Sequence, residues 1–517
     1  MGRSGSCQGF LGGQGGLLAE ESMTGWSNLS PLSWCGLSCA ALLAVCTLAW
    51  GWGSGELWGN EGLRARVAAE MAHPDNQYSW RVPRLEGEPL LTKPPLHYWI
   101  VATLGRITGR VGPFEARLPS LLAGVGLLGL ACWQARRFAG WDALLATLLV
   151  MPCSLAFLTQ VPSAELDLPL AFWVFAALFC LGRQVDSWAA NPEGWGLWWW
   201  GVAACGLAGF LSKWTAPVFV LPVVVVCLAT GGRWRMALLP GPWLALLGAV
   251  SCAGLWLRAA ASEVGWPQLQ GAVVEREGLP HLSPWHHGRA YPFQEWLTYP
   301  WLVLAMGLPA IAWLCSACFL PRKTLWQALQ STWIRLLVLA VVLPLVFWTV
   351  VPGHKPRHAL PVVPPLAALA ALAAGACLAR VTGPARRGLL VALWVGAMLW
   401  MGVKVVRVEW LNREAMAAHA PTRVADQVSQ VMGESTTLWV AGLRDDGLLL
   451  ALAQRGIAVL RLPGQVGRQA GWWLVHPEEQ APVSAERWLE VTDQQKRSIW
   501  LLRLSSNDSQ STGPAGR

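Results

Sequence analysis

The chain has 517 residues, of which 54% are hydrophobic and 13% are charged, and it carries a formal net charge of +9. Soluble globular proteins have about 25% charged residues, so this composition excludes an ordinary water-soluble fold and indicates an integral membrane protein. The positive charges lie in alternate loops between apolar runs, a pattern that indicates membrane topology rather than a nucleic-acid partner.

Apolar runs along the chain predict a polytopic α-helical membrane protein with about eleven spans and a range of about 10–13. The runs are residues 36–53, 118–135, 143–159, 168–182, 194–212, 214–232, 236–257, 296–320, 336–353, 359–379 and 388–403. A spanning helix needs at least roughly 17 apolar residues, so the short runs at 168–182 and 388–403 must extend into their flanks.

The same pattern divides the chain into four regions. Residues 1–35 are rich in glycine and serine and predict a flexible cytoplasmic tail. Residues 36–405 form the predicted transmembrane region, which has a large first extracytoplasmic loop at 54–117. Residues 406–505 predict a small soluble α/β domain, and residues 506–517 predict a disordered tail.

Short strands are predicted in this C-terminal domain, at residues 437–441, 457–462, 471–476 and 498–504. Residues 445–455 have helical spacing, and Asp445 or Asp446 could cap that helix. The domain contains no phosphate-binding glycine loop and no catalytic motif. Its sequence therefore assigns it no role.

Basic residues mark one set of loops as cytoplasmic when the N-terminus is placed in the cytoplasm. They are Arg136, Arg137, Arg183, Arg233, Arg235, Arg322, Lys323, Arg380, Arg386 and Arg387. The opposite loops comprise residues 54–117, 160–167, 258–295 and 353–358, together with the tail after about residue 404. We expect the chemistry on that face, outside a bacterial inner membrane.

Three strings in the first loop carry a family resemblance: WGNEGLRARVAAEM at 58–71, WRVPRLEGEPLLTKPPLHYW at 80–99 and FEARLPSLLAG at 114–124. They resemble the first loop of GT-C membrane glycosyltransferases, in particular the aminoarabinose transferases of lipid A, with protein O-mannosyltransferases as more distant relatives. Weaker similarities at SAELDLPLAF, GFLSKWTAP, GRAYPFQEW and HKPRHALPVVPPLA extend the resemblance over most of residues 45–375. It implies a GT-C fold and the transfer of a sugar from a polyprenyl-phosphate donor to a lipid, glycan or protein acceptor.

The sequence departs from this family at Asn60, which stands where the family has an aspartate. An amide cannot usefully accept a proton near neutral pH. Either the neighbouring Glu61 is the general base, or the second loop supplies the acid as Glu165 or Asp167. One carboxylate suffices for a single displacement with inversion at the sugar carbon. We take Glu61 and Asp167 as the catalytic candidates.

Cations are needed to hold a leaving phosphate that gains negative charge at the membrane surface. Four of them stand at that depth on the same face: Lys93, Lys213, Lys355 and Arg357. Pro94 and Pro95 suit the first turn of a helix, whose free N–H groups and dipole favour an anion. The sequence therefore predicts a phosphate site beside Lys93.

Further candidates for substrate binding are Asn60, Arg64, Arg117, His287 and Arg289. Arg64 lies where the family has an Arg-Tyr pair, so substrate binding is expected to differ. Arg117 binds phosphate or only anchors its helix at the interface. His286 and His287 are adjacent in a polar loop and do not have the pattern of metal ligands. His354 and His358, which flank Lys355, fit phosphate better than metal.

Several of these residues also have a plain structural interpretation. Glu61 could pair with Arg64 one turn further on. Lys93 could contact lipid headgroups as an interfacial lysine. Glu165 and Asp167 could be acids at the start of a helix, favoured there by the helix dipole, and for Glu165 this interpretation is preferred.

Two other functions stay open from the sequence. Asn60 motivates a GT-C-fold protein that has lost activity and serves as a binding or assembly subunit. A transporter should place charges near mid-membrane and show internal repeats, and neither is evident. No cofactor is required by the sequence: Glu61 and Asp167 could hold a divalent metal ion, but no spacing demands one.

Overall fold

The structure is a computed structural model that describes residues 31–192, 196–278, 285–286, 289–290, 293–351, 355–411, 419–461, 469–478, 485–493 and 495–504. The predicted C-terminal tail and residues 1–30 of the predicted N-terminal tail lie outside the described residues. The first described helix includes Pro31 and so extends into the predicted tail.

Helices dominate the chain up to residue 411. They are α1 (Pro31–Ala49), α2 (Asn60–Ala72), α3 (Leu96–Thr108), α4 (Pro113–Val150), α5 (Leu155–Gln160), α6 (Asp167–Ala190), α7 (Trp198–Ser212), α8 (Ala216–Ala229), α9 (Pro240–Val264), α10 (Trp266–Gln270), α11 (Phe293–Ala305), α12 (Arg322–Gln330), α13 (Thr332–Val350), α14 (Val363–Leu378) and α15 (Gly383–Val406). Short 3₁₀ or π-helical segments lie at Arg233–Leu238, Gly271–Gly278, Ala310–Phe319, Pro356–Val362 and Arg407–Leu411. Two small hairpins pair β1 (Arg84–Leu85) with β2 (Glu88–Pro89) and β3 (Trp285–His286) with β4 (Arg289–Ala290).

Six helices among the described residues are long and apolar enough to cross a membrane. They are Pro113–Arg137, Asp167–Ala190, Pro240–Val264, Thr332–Val350, Pro356–Leu378 and Gly383–Trp410. Four shorter apolar helices lie at Ser33–Ala49, Ala139–Val150, Ala216–Ala229 and Ala310–Phe319. Each of the eleven predicted apolar runs contains helical residues, and the number of crossings stays a prediction.

Two of the predicted runs, 143–159 and 296–320, are broken rather than continuous helices. The two breaks lie side by side, and the Leu155 N–H donates to the Leu308 carbonyl oxygen at 2.8 Å. Apolar surroundings offer no water to backbone groups that a broken helix releases, so these groups need protein partners. Each break supplies hydrogen-bond partners for the backbone groups of the other break.

Small residues allow the apolar helices to approach closely. A Cβ atom on Gly375 in α14 would lie 2.4 Å from the Cα atom of Ala143 in α4. Gly140, with a φ of 76°, marks the kink that turns α4 back on itself after Arg137. Close contact between small residues is the usual basis of helix packing in membranes, where burial of apolar surface gives little driving force.

Charged pairs occupy the two opposite ends of the helical region. Asp167 is the first residue of α6, and Asp186 lies near its other end, about 28 Å away at the rise of a helix. At the Asp186 end, Arg137 lies 3.3 Å from Asp186. The pair of Arg386 and Asp142, at 2.7 Å, belongs to the same end. This separation agrees with the two sets of loops predicted from charge.

The C-terminal region forms a five-stranded sheet with two helices. Its elements are α16 (Pro421–Met432), β5 (Thr437–Ala441), α17 (Asp446–Ala453), β6 (Ala458–Arg461), β7 (Gly471–Val475), β8 (Glu486–Thr492) and β9 (Ser498–Leu504). The strand order is β6-β5-β7-β9-β8, in which β5 runs parallel to β6 and β7 while β9 runs antiparallel to its neighbours. All four predicted strands form, and the side chain of Asp445 caps α17 by accepting from the Leu448 N–H at 2.9 Å.

This sheet domain packs directly on the first loop. A Cβ atom on Gly62 in α2 would lie 2.4 Å from the backbone nitrogen of Gly447 in α17. Beside this contact, Arg66 lies 3.1 Å from Asp446, and Arg461 lies 3.0 Å from Glu86. The C-terminal domain therefore fixes the helix that carries Asn60, Glu61 and Arg64.

Candidate functional site

A buried ion pair joins the start of α6 to the turn between α7 and α8. The Nζ atom of Lys213 lies 2.6 Å from Oδ1 of Asp167, and both side chains are buried. Arg64 and His358 lie near enough to interact with the charge of Asp167. Within the described residues, no group donates to Oδ2 of Asp167. This carboxylate thus keeps one oxygen available.

Two arginines from distant parts of the chain form ion pairs with Glu165. Arg64 in α2 donates to its Oε2 atom and also to the Ala164 carbonyl oxygen, at 2.9 Å. Arg357, from the segment before α14, lies 3.4 Å from its Oε1 atom. The preferred interpretation of Glu165 as a simple helix-start acid is therefore wrong, because it bridges two loops and lies before the first residue of α6.

Glu61 is held by Arg117 at the start of α4. The guanidinium forms two parallel bonds of 3.0 Å to the two carboxylate oxygens. The backbone N–H groups of Ala164, at 2.6 Å, and Trp58, at 3.4 Å, also donate to this carboxylate. The alternative in which Glu61 pairs with Arg64 is therefore wrong: Glu61 pairs with Arg117 and Arg64 with Glu165, and a bidentate arginine is the stronger partner.

Lys93 is half-buried, in the segment that leads into α3. Its neighbour Thr92 accepts a hydrogen bond of 3.1 Å from the indole N–H of Trp214, the residue after Lys213. The two lysines are therefore carried by adjoining segments. The helix after Lys93 begins at Leu96, so Pro94 and Pro95 precede the first turn rather than form it.

Two other predicted residues lie around the rim. Asn60, the first residue of α2, is exposed, and so is Lys355. Lys355 begins the turn that carries Arg357 to Glu165, and its carbonyl oxygen accepts from the His358 N–H at 2.9 Å. The amide that replaces the family's aspartate thus has open space in front of it.

Part of the predicted set cannot be placed. His287 and His354 lie outside the described residues. Arg289 lies in the two-residue strand β4, where it is opposite His286 of β3. The participation of the loop at residues 258–295 in the site therefore stays a prediction.

His97 is a residue of the site region that the sequence interpretation missed. It lies in the first turn of α3, is 2% exposed, and neither ring nitrogen has a hydrogen-bond partner among the described residues. Burial, with a smaller contribution from the charge of Arg64, lowers the pKa of His97 to about 3, so the ring is neutral. A lone histidine two residues after the Lys-Pro-Pro string was the available signal.

Protein cations already neutralise the predicted metal ligands. Arg117 binds Glu61 and Lys213 binds Asp167, so this pair of carboxylates does not fit a divalent ion. Groups of three or more histidine, cysteine or acidic side chains that could hold a metal are absent from the part of the chain that the structure describes.

Positive charge exceeds negative charge in this site. The six cations are Arg64, Lys93, Arg117, Lys213, Lys355 and Arg357, and the three carboxylates are Glu61, Glu165 and Asp167. A group of cations around one carboxylate oxygen that accepts no hydrogen bond among the described residues can bind a phosphate and accept a proton beside it. Spanning helices, a helical first loop and a sheet domain packed on it are together the architecture of the GT-C membrane fold.

Solved structures confirm this class. The chain is similar to ArnT from Cupriavidus metallidurans bound to undecaprenyl phosphate, with a TM-score of 0.69 and 17% identity over 92% of this chain and 99% of that one. The same protein in its apo state matches with a TM-score of 0.65, 18% identity and coverage of 90% and 97%. At this identity the similarity shows the fold alone.

Sequence comparisons agree with the resemblance predicted from the loop motifs. Residues 92–257 match the family model described as dolichyl-phosphate-mannose-protein mannosyltransferase. The undecaprenyl phosphate-alpha-4-amino-4-deoxy-L-arabinose arabinosyl transferase 2 of Pseudomonas fluorescens is 29% identical over 61% of this chain and 55% of its own length. The protein of that name from Sodalis glossinidius is 30% identical over 62% and 56%. The chain thus spans about half the length of the curated relatives it matches.

Proposed function

We propose that the chain is a membrane glycosyltransferase that moves a sugar from a polyprenyl-phosphate donor to an acceptor hydroxyl or similar group. The relatives named above are transferases of a sugar carried on undecaprenyl phosphate. The observation that carries the proposal is the buried pair of Asp167 and Lys213 in a site of excess positive charge. The acceptor class comprises lipid, glycan and protein.

Donor binding is assigned to the cations. Lys93 and Lys355 on the rim meet the phosphate first, because both are at least partly exposed. Lys213 is buried and Arg357 is partly exposed, and each is now paired with a carboxylate. Phosphate would compete for these two side chains and draw them from the carboxylates. The negative charge that develops on the leaving phosphate is then stabilised by fixed cations.

The general base is assigned to Asp167 rather than to Glu61. Both oxygens of Glu61 already accept hydrogen bonds, and both oxygens of Glu165 face arginines. The Oδ2 atom of Asp167 accepts no hydrogen bond among the described residues. Asp167 also loses its only ion-pair partner among those residues when Lys213 turns to the phosphate. Movement of one lysine would thus raise the basicity of Asp167 while the donor binds.

The reaction follows as a single displacement. The acceptor oxygen forms a bond to the anomeric carbon of the sugar while its proton passes to Asp167. The bond from that carbon to the phosphate oxygen breaks, and the electron pair leaves with the polyprenyl phosphate. One carboxylate and no covalent intermediate are needed, so the sugar carbon is inverted.

Glu61 is assigned a positioning role. Its carboxylate joins α2, the start of α4 and the segment before α6 through Arg117 and the Ala164 N–H. Arg64, one turn along α2, is placed on Glu165 by the same arrangement. Asn60 then lies at an exposed edge, where an amide can bind a sugar hydroxyl but cannot take its proton.

We further propose about eleven spans in a bacterial inner membrane, with the site and the sheet domain on the extracytoplasmic face. The basic pairs at the far end of α6 support this orientation by the positive-inside rule. A polyprenyl-phosphate donor at that surface would reach Lys93 from the lipid.

The test is donor consumption by the purified protein in lipid, with a polyprenyl-phosphate sugar as probe. Asp167→Asn should reduce turnover by at least about a hundredfold, the usual contribution of a general base. Lys93→Ala should raise the donor KM more than it lowers kcat. Asp142→Asn, which removes an acid from an ion pair at the opposite end, is the matched control and should retain turnover.

Two results would overturn the proposal. One is full turnover by Asp167→Asn, which would remove the base. The other is the absence of donor consumption by the wild-type protein across sugars and acceptors. If wild type binds the donor without consuming it, the chain is a binding or assembly subunit of the same fold, for which exposed Asn60 is the supporting observation.

A further inference from the structure

A cavity of about 300 Å³ lies at the end of the helical region opposite the candidate site. It is formed where α8 ends and α13 begins, with Cys227 and Thr332 in its wall. The opposite ends of these two helices lead to the site: α8 begins just after Lys213, and α13 ends shortly before Arg357. The cavity is thus one helix length from the proposed donor phosphate.

Apolar side chains form most of the wall, and two arginines lie at its edge. Val226, Leu336 and Leu339 contribute apolar surface, while Arg233 and Arg335 contribute cations. Arg233 donates to the Thr332 hydroxyl at 2.8 Å, and Arg335 donates through Nε to a carbonyl oxygen at 2.7 Å. Both guanidinium groups keep further N–H donors.

These arginines differ from their neighbours at the same end. Arg137 and Arg386 lie within 3.3 Å and 2.7 Å of aspartates. Among the described residues, no carboxylate lies within ion-pair distance of Arg233 or Arg335. Two cations that lie beside an apolar cavity, with no acidic partner in the described part of the chain, favour an anion that also has an apolar part.

The segments beside the cavity favour a position at the membrane surface. The adjacent helix α12 has no buried residue, and its Trp326 is 67% exposed. Trp234, next to Arg233, is 53% exposed. An exposed tryptophan on a short helix that also carries Arg322 and Lys323, with a second exposed tryptophan beside Arg233, is typical of a segment lying at the membrane interface.

We propose that this cavity binds an anionic phospholipid. Arg233 and Arg335 hold the phosphate of the headgroup, and the first part of an acyl chain lies along Val226 and Leu339. The site is separate from the proposed donor site and does not depend on it. A bound lipid would join α8 to α13, two helices that both lead to side chains of the catalytic region.

The test uses dioleoyl phosphatidylglycerol as the probe, titrated into full-length protein in neutral detergent micelles and followed by native mass spectrometry. The double variant Arg233→Gln/Arg335→Gln should bind the first phosphatidylglycerol roughly thirtyfold more weakly, as expected for the loss of two interfacial cations. Dioleoyl phosphatidylcholine should bind equally to wild type and variant.

The matched control is Arg322→Gln/Lys323→Gln, which removes the same charge from α12 at the same end of the molecule. It should keep wild-type affinity. A second variant, Leu339→Trp, keeps both arginines but fills the cavity, and it should also weaken binding. Equal losses in the cavity and α12 variants would overturn the proposal, as would competition by millimolar inorganic phosphate that removes the lipid as effectively as phosphatidylglycerol itself.

Discussion

Lys213 and Asp167 form an ion pair of 2.6 Å in which the side chains are only 9% and 5% exposed. At such burial, removing one partner leaves a desolvated charge without compensation. The pair therefore joins the start of α6 to the turn before α8. The same two side chains contribute to the stability of the fold and to the proposed chemistry.

The first prediction concerns that pair. Lys213→Met should destabilise the folded protein by about 3–5 kcal/mol, because Asp167 stays buried and unpaired. The measurement is the denaturant midpoint in detergent. The double variant Lys213→Met/Asp167→Leu should recover most of the stability, since both charges are gone, but no donor turnover.

The matched control for this cycle is Arg386→Met, which breaks the pair with Asp142. Its side chains are 37% and 23% exposed. Solvent-screened pairs contribute about 0–1 kcal/mol, so this variant should change the midpoint little. A loss equal to that of Lys213→Met would contradict the importance given to burial.

A second prediction concerns the contact between the sheet domain and α2. Gly62→Ala places a Cβ atom 2.4 Å from the backbone nitrogen of Gly447, and neither backbone can yield without moving α17 away. Amide exchange in α17 should become at least about tenfold faster, because its contact with the first loop is part of what protects it. Donor turnover should also fall, since α2 carries Glu61 and Arg64.

Gly129→Ala is the control for that substitution. It lies in α4, and a Cβ atom there would meet nothing within 4 Å. Alanine has the higher helix propensity, so this change should be neutral or stabilising by up to about 1 kcal/mol. If both variants behaved alike, the contact between Gly62 and Gly447 would not be what holds α17 against α2.

A third prediction concerns pH. Burial raises the pKa of Glu70 in α2 from its ordinary value of 4.5 to about 7, against an opposing effect of the Arg66 charge. The folded protein therefore binds a proton that the unfolded chain releases. This contribution to stability is fully present below about pH 4.5 and is lost as the pH rises through about 7.

Thermal unfolding of Glu70→Gln against wild type between pH 5 and 8 measures this contribution. Wild type should lose stability over the window relative to the variant, which cannot titrate there. Glu88→Gln, an exposed residue of β2, should follow the wild-type curve. A wild-type curve that rises with pH relative to Glu70→Gln would show the opposite sign and refute the assignment.

Local signals predicted much of the architecture. Strand composition located β5, β6, β7 and β9, and the acid before the helical spacing is the cap of α17. The strand β8 was missed because Glu486–Thr492 carries three charged residues, which suit its exposed edge position but weaken an apolar strand pattern. The breaks within the runs 143–159 and 296–320 were missed because the residues in the breaks are also apolar. Hydropathy averaged over a run does not distinguish helical from irregular backbone.

The structure pairs several of the predicted site residues with partners that the sequence did not indicate. The family resemblance indicated Glu61, and charge at one face indicated Lys213 and Arg357, but the ion-pair partner that the sequence suggested for Glu61 was its neighbour Arg64. Its actual partner, Arg117, lies 56 positions away. Pairing of this kind depends on how helices pack, and a single sequence carries no signal for that geometry. Family motifs could indicate which loops meet, but not which atoms.

The last prediction concerns His97, whose two ring nitrogens are buried without protein partners in the described structure. Such groups cost stability unless something else binds them, so we expect the imidazole to contact bound substrate. His97→Phe should keep or raise stability by about 1 kcal/mol, because the unsatisfied nitrogens are removed. It should also raise the donor or acceptor KM several-fold.

His97→Gln, which retains a donor and an acceptor, should recover part of the affinity. Since the pKa of His97 is about 3, neither variant should shift the pH profile between pH 5 and 9. Unchanged KM values in His97→Phe would show that the ring only fills space beside Lys93.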